Sequence, residues 1–344
     1  MQARLRHIIR PVYILTLILS ACMMYACDID DDMQVCEYNT RLTYRYDREQ
    51  TAPVSVLDRY VQSLDEYIFD AGGVLIQVNR LPGSSCFGEY VSETNLPEGN
   101  YSVITWGNRG EPSKVNKAEI GVTKRDEMLL NLNSPVTRAD IYQQDSERLY
   151  YAYRTFSVQK YGVSKVNVDI SHSHCVLDIT VRWKNSNEIP TYGNYYMLLK
   201  QLPAQYGFMP EYRFKDRLCN LHNPTEDEYP KDTKEALHYI TRVYGDRQLQ
   251  VHRKDVALNG RQFNTQFVTY RYRNDSHELL SIYAADGTQI MKEIDLHTFF
   301  REMNIELDTN LRQEFEINIE IDRNKVIVGL VEVGDWEEGG TIGG

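Results

Sequence analysis

The sequence predicts a mainly β protein with short helical inserts, and three observations predict it. Short runs of alternating polar and apolar residues recur along the chain, with Gly, Pro and Asn between them. Stretches with helical character are few and short. Tyrosine, which suits half-exposed pleated faces, occurs 25 times in 344 residues. A hydrophobic content of 42% is enough to build cores, and the length suits about two domains.

Taken in order, residues 41–46 alternate as one strand. Residues 66–70 and 74–78 flank Ala71, Gly72 and Gly73, giving strand, glycine turn, strand. A turn over 96–100 feeds a strand over 101–106, and 152–158 closes the first strand family. Two more strands run through 163–183 around a polar turn at 171–174. Residues 201–253 are polar and carry Pro203, Pro210, Pro224 and Pro230, which predicts a long loop region with a helix, decorating the second domain. Strands then follow over 263–272, 279–284 and 289–294, the last two joined by Asp286 and Gly287, a strong hairpin signal. Residues 315–321 alternate, 322–324 turn, and 326–331 return. Helical character is confined to 54–64 (short helix or irregular), to 233–244, and to 296–303 with Asp295 as its cap.

The first 36 residues carry the strongest local signal. Arg4, Arg6 and Arg10 precede an apolar run over 12–21, the pattern of an export leader. The run is shorter than the ~20 apolar residues of a membrane span. It ends at Leu19, Ser20, Ala21 and Cys22, a lipobox-like site where cleavage leaves a cysteine able to take lipid. Cys27 is the alternative lipid carrier. Tyr25 sits poorly in its cleavage site, yet Asp28, Asp30, Asp31 and Asp32 follow it directly as a solvated tether. The predicted division is a leader over 1–21, an acidic tether over 22–37, β-sandwich domains over 38–161 and 162–336, and a tail over 337–344.

Composition excludes some partners. Removing a leader with three arginines and no acids takes the net charge from −11 to −14, so nucleic acid is not a partner. Cys36, Cys86, Cys175 and Cys219 are possible disulfide partners in an oxidising compartment, with three pairings open. They lack the spacing of a zinc site, and the aspartates of the tether lack the glycine and terminal glutamate of a calcium loop. No hydrolase, zincin or phosphate-loop motif is present, so no enzyme activity, cofactor or metal is predicted. His172 and His174 would share one side of a strand, as metal ligands or an acid/base pair could. With no acidic motif nearby in sequence, they are read as part of the polar turn. Trp106, Trp183 and Trp336 lie in or beside apolar strands and are assigned to cores.

Several segments, in order, resemble a known family. Cys27, the aspartates after it and Cys36 match a lipid cysteine, an acidic spacer and a second cysteine. Arg45, Tyr46 and Asp47 end a strand, and Tyr67 to Asp70 precede a glycine turn. The most specific piece is LPEGNYSVITWGN over 96–108, with Trp336 near the end of the alternating C-terminal strands. On these residues the chain resembles the fimbrial anchor lipoproteins of Bacteroidia-type fimbriae, the FimB-type family of minor-fimbrium anchoring subunits. The resemblance implies two tandem transthyretin-like β-sandwiches. It also implies a lipid-anchored protein of the cell outer membrane, exposed at the surface, that holds a fimbrium base and meets shaft or accessory subunits by strand exchange. An alternative class, a surface lipoprotein binding a polysaccharide, rests on the Tyr and Trp content of the β scaffold.

Overall fold

A computed structural model describes residues 37–46, 57–82, 90–132, 141–142, 145–190, 193–202, 205–214, 217–218, 238–243, 250–275, 277–308, 310, 312–323 and 325–331. The chain forms two tandem β-sandwiches of the transthyretin-like kind, with a third small sheet laid over the first.

In the first sandwich, β1 (Thr40–Arg45) lies between β10 (Ser164–Asp169), parallel to it, and β4 (Tyr90–Thr94), antiparallel. The facing sheet has the order β11 (Ser171–His172), β9 (Tyr150–Val158), β5 (Gly99–Gly107), β2 (Ser63–Phe69) and β3 (Leu75–Pro82). Leu42, Tyr44, Ile68, Val103, Ala152 and Val168 meet between the sheets, closed at one end by Leu57 of the single-turn helix α1 (Leu57–Tyr60). The turn after β2 forms as its glycines require: Gly73 has φ +76°, and Asp70 accepts from the Gly73 amide at 2.9 Å.

The second sandwich pairs two sheets. One runs β18 (Gln262–Tyr270), β12 (His174–Trp183), β21 (Gln313–Asp322), β22 (Lys325–Val331). The other runs β20 (Ile294–Asp295), β19 (Leu279–Ala284), β13 (Asn194–Leu202), β17 (Gln250–Ala257), β8 (Ile141–Tyr142). Alternation is cleanest in β21, where every second residue from Gln313 to Ile321 is buried. Leu177, Val181, Met197, Ile282, Phe300 and Ile317 form the shared core. Helix α2 (Leu296–Glu302) adds Phe299 and Phe300 to it, and its expected cap forms: Asp295 accepts from the amides of His297 and Thr298.

The third sheet runs β15 (Arg217–Leu218), β14 (Gln205–Phe214), β7 (Leu129–Leu132), β6 (Ser113–Val115), with β16 (His238–Val243) also paired to β14. It covers the outer face of β2, β5 and β9, where Tyr67, Ile104, Trp106 and Tyr151 pack on Met128, Tyr206 and Phe208. The middle sheet is therefore buried on both faces, and Tyr101 to Gly107 of β5 are all buried.

Four expectations are corrected. Residues 201–253 include strands where a loop region was expected, and 238–243 is a strand where helix formers suggested a helix. Strand β14 does not decorate the second sandwich alone; it pairs with β7 of the first half. The return over 289–294 is reduced to the bridge between Tyr283 and Gln289 and the two-residue β20, although Gly287 turns with φ +88° as expected. Apart from these corrections, β10, which follows the expected division at 161/162, hydrogen-bonds to β1. The pairing passes from one sandwich to the other at Ser173, between β11 and β12.

Candidate functional site

The segment over 96–108 leads into a cleft at one end of the first sandwich, beside its junction with the second. Asn39 fixes its start, donating to the Leu96 carbonyl at 2.7 Å and accepting from the Leu96 amide at 3.0 Å. The Tyr101 hydroxyl closes the turn by donating to the Pro97 carbonyl at 2.8 Å. Trp106 is fully buried, with ring centroids of Tyr151, Tyr206 and Phe208 at 5.0, 5.6 and 5.9 Å. Gly107 permits close approach: a Cβ there would lie 3.0 Å from Tyr150 Cβ and 3.2 Å from Val61 Cγ1. Asn108 adopts φ +59° and ties three strands' ends, donating to the carbonyls of Tyr60 (2.7 Å) and Arg148 (3.1 Å) and accepting from the Gln62 amide (2.7 Å). The resulting cleft, about 510 Å³, is lined by Arg59, Tyr60, Gln62, Asn108, Arg148 and Tyr150 among others. Its two guanidinium groups and amide edges suit a polar or acidic group.

Behind Tyr150 lies a buried polar cluster. His172 and His174 flank Ser173, and their rings stand 3.7 Å apart, each edge-on to Tyr150. They are not a solvated polar turn: His172 is 3% exposed and His174 0%. Glu314 of β21, the neighbour of β12 in the second sandwich, comes to them, its Oε1 3.6 Å from His172 Nε2. Its Oε2 takes Arg312, whose Nε donates at 2.7 Å. His174 Nδ1 lies 2.8 Å from the Leu149 carbonyl, which can only accept. Nδ1 therefore carries the proton, and Nε2 presents its lone pair. Burial lowers His172 to about 4, with Arg271 adding to the effect and Glu314 opposing it. Burial also holds His174 well below the ordinary imidazole range, helped by His172. Burial pushes Glu314 up, but His172 and Arg312 outweigh it and hold the carboxyl below its ordinary range.

The junction is clamped by tyrosine side chains from β14 and β9. The Tyr206 hydroxyl donates to the Ser173 carbonyl at 2.8 Å and accepts from the Arg271 amide at 2.7 Å. The Tyr151 hydroxyl donates to the Phe208 carbonyl at 2.6 Å.

A second surface feature lies at the far edge of the second sandwich. Among the described residues, strand β22 pairs on one side only, with β21. Val328 and Leu330 pack toward the core, while Ile327 is 56% exposed and Val326 39%. An edge with exposed β-branched residues can accept another strand.

The residues picked out by sequence divide as follows. Cys22, Cys27, Cys36, Cys86 and Cys219 lie outside the described residues, as do the aspartates of the tether and Trp336. Cys175 is buried in β12, between Thr269 and Gln313 of its neighbours. Trp106 and Trp183 are core residues, as expected. Sequence flagged His172 and His174 but missed Glu314. The cleft was missed apart from Asn108, which stood in the quoted motif.

No helix among the described residues is long and apolar enough to cross a membrane. No curated protein matches the sequence. Three solved structures share the fold. A Bacteroides thetaiotaomicron protein described as a candidate polysaccharide-binding protein matches with a TM-score of 0.60 at 13% identity, over 87% of this chain and 99% of its own. A candidate adhesin from Bacteroides ovatus gives 0.59 at 14% identity, over 86% and 94%. The fimbrial anchor protein Mfa2 from Porphyromonas gingivalis gives 0.58 at 15% identity, over 85% and 96%. The family model for fimbrillin-A associated anchor proteins Mfa1 and Mfa2 matches residues 33–339. The chain thus belongs to the Mfa2 family of fimbrial anchor proteins.

Proposed function

We propose that this chain is an outer-membrane lipoprotein that fixes the base of a fimbrium to the cell surface and joins shaft or accessory subunits by strand exchange. The observation that carries the reading is membership of the anchor family across residues 33–339. The leader supports export, and Cys22, with Cys27 as the alternative, supplies the lipid site. Cys36, Cys86, Cys175 and Cys219 remain the candidate disulfide partners. Strand β22, open on one side among the described residues and with Ile327 exposed, is the edge we assign to subunit exchange. The anchor role needs no chemistry, only a membrane attachment at one end and a protein contact at the other. Isolation of the full chain from detergent-solubilised cells is expected to bring fimbrial subunits with it. Mass spectrometry of its N-terminal peptide is expected to show acyl mass on Cys22. A clean preparation without subunits, together with an unmodified N-terminus, contradicts the reading.

A polysaccharide-binding role is the second reading. The cleft lined by Arg59, Tyr60, Asn108 and Arg148 favours it, since sugars need planar hydrogen-bonding groups beside an aromatic. The Bacteroides thetaiotaomicron protein of the same fold, described as a candidate polysaccharide binder, agrees with it. Glycan-array binding lost in Arg148→Ala would favour this reading, and an empty array would end it.

A further inference from the structure

The geometry points to a transition-metal site at the junction of the two sandwiches, formed by His172, His174 and Glu314 and suited to a divalent ion such as Zn²⁺. One donor atom from each of the three side chains lies within 4.8 Å of the others. A tetrahedral ion with bonds near 2.0–2.1 Å needs donors about 3.3 Å apart, so small side-chain rotations close the site. His172 Nδ1 and Nε2 and His174 Nε2 are buried without a hydrogen-bond partner. Orphaned ring nitrogens in the interior are costly, and a bound cation satisfies one on each ring. The surroundings are those of ligands already oriented. Leu149 holds His174 in the tautomer that offers Nε2, and Arg312 grips Glu314 Oε2, while Oε1 faces the histidines with Arg148 Nη1 3.8 Å away on its outer side.

The ligand set selects the ion. Arg312 and Arg148 offset part of the carboxylate's charge, so the imidazoles must supply most of the affinity. That favours Zn²⁺, Ni²⁺ or Cu²⁺ over Mg²⁺ or Ca²⁺, which want several oxygens. Access exists on two sides: the Glu314 side chain is 22% exposed, and Tyr150, packed on both rings, lines the cleft. The position gives the ion a mechanical meaning. His172 belongs to β11 of the first sandwich, and His174 and Glu314 to β12 and β21 of the second. One ion would link the two sandwiches of a protein proposed to bear the pull of a filament.

A second group, His277, Asp295 and His297, also brings donor atoms within 4.8 Å, so the test must separate the two. Untagged full-length chain in detergent would be stripped with chelator, exposed to ZnCl₂ or MgCl₂ and desalted. The same treatment would be given to His277→Gln/His297→Gln, His174→Gln and Glu314→Gln. The expected result is one retained zinc per chain and a Tm rise of about 3 °C or more with zinc and not with magnesium. The His277→Gln/His297→Gln variant is expected to keep both effects and to show two imidazoles in its zinc X-ray absorption spectrum. Glu314→Gln and His174→Gln are expected to lose the retained zinc. Should His174→Gln fail to fold, the spectrum of His277→Gln/His297→Gln decides alone. Absence of retained zinc in the unmodified chain overturns the proposal. So does loss of the two-imidazole spectrum in His277→Gln/His297→Gln.

Discussion

Gly107 and Glu66 show how single residues set the first sandwich. Any side chain at 107 meets Tyr150 Cβ at 3.0 Å, and both lie in strands fixed on two faces, so neither can retreat. Gly107→Ala is therefore expected to cost about 1–3 kcal/mol, read as a lower urea midpoint at unchanged slope. Glu66 is fully buried and accepts from Tyr44, from Asn79 at 2.6 Å and from Ser92 at 3.0 Å. Burial still raises its pKa above the ordinary 4.5, against those donors. The folded state thus keeps this proton to higher pH than the unfolded chain does. Its contribution is most favourable below about pH 4.5 and is lost as pH rises through the folded value. Denaturation of the wild type and Glu66→Gln from pH 4.5 to 8 is expected to show the wild type losing ground to the variant as pH rises. A constant difference would contradict this. At this scale the sequence was partly legible. The Trp106, Gly107, Asn108 motif stood out, and the structure supplies its reasons. The histidine pair was visible but misread, because Glu314 comes from a strand far along the chain and only pairing in β12 and β21 brings it near.

Among elements, regular alternation was the reliable guide. It located β1 and β21, in each of which every second residue is buried and the pairing keeps a simple register. It misjudged residues 201–253 because their composition is polar and proline-rich, which argues for loops. Strand β14 tolerates Pro210 because its pairing with β16 shifts register between Tyr206 and Pro210, relieving the missing amide. No local pattern signals that such a strand completes a sheet begun by β7. The edge strand β22 carries the prediction at this scale. Ile327 is 56% exposed on an edge unpaired among the described residues, so Ile327→Lys is expected to change stability by no more than about 0.5 kcal/mol. The same change is expected to reduce recovery of fimbrial subunits with the chain, since a charge on an edge opposes strand addition. Full recovery of subunits would move the exchange away from β22.

Across the whole molecule, the two halves exchange strands. Residues 141–142, which precede the second sandwich, form its β8 edge against β17, and β14 from the second half covers the first. Tyr206 and Tyr151 add hydrogen bonds across the same junction. Separate unfolding of either half would break these contacts, so urea denaturation followed by tryptophan fluorescence and by far-UV signal is expected to give coincident single transitions. Two separated transitions would show independent domains. A joined body of this kind suits the proposed anchor role, with lipid at one end and filament at the other. That role is tested most directly by replacing both candidate lipid sites, Cys22→Ala with Cys27→Ala, and measuring fimbrial subunit in cells and in culture medium. The account predicts that fimbriae pass from the cell fraction to the medium while subunit synthesis is unchanged. Fimbriae held on the cells as in the wild type would contradict it.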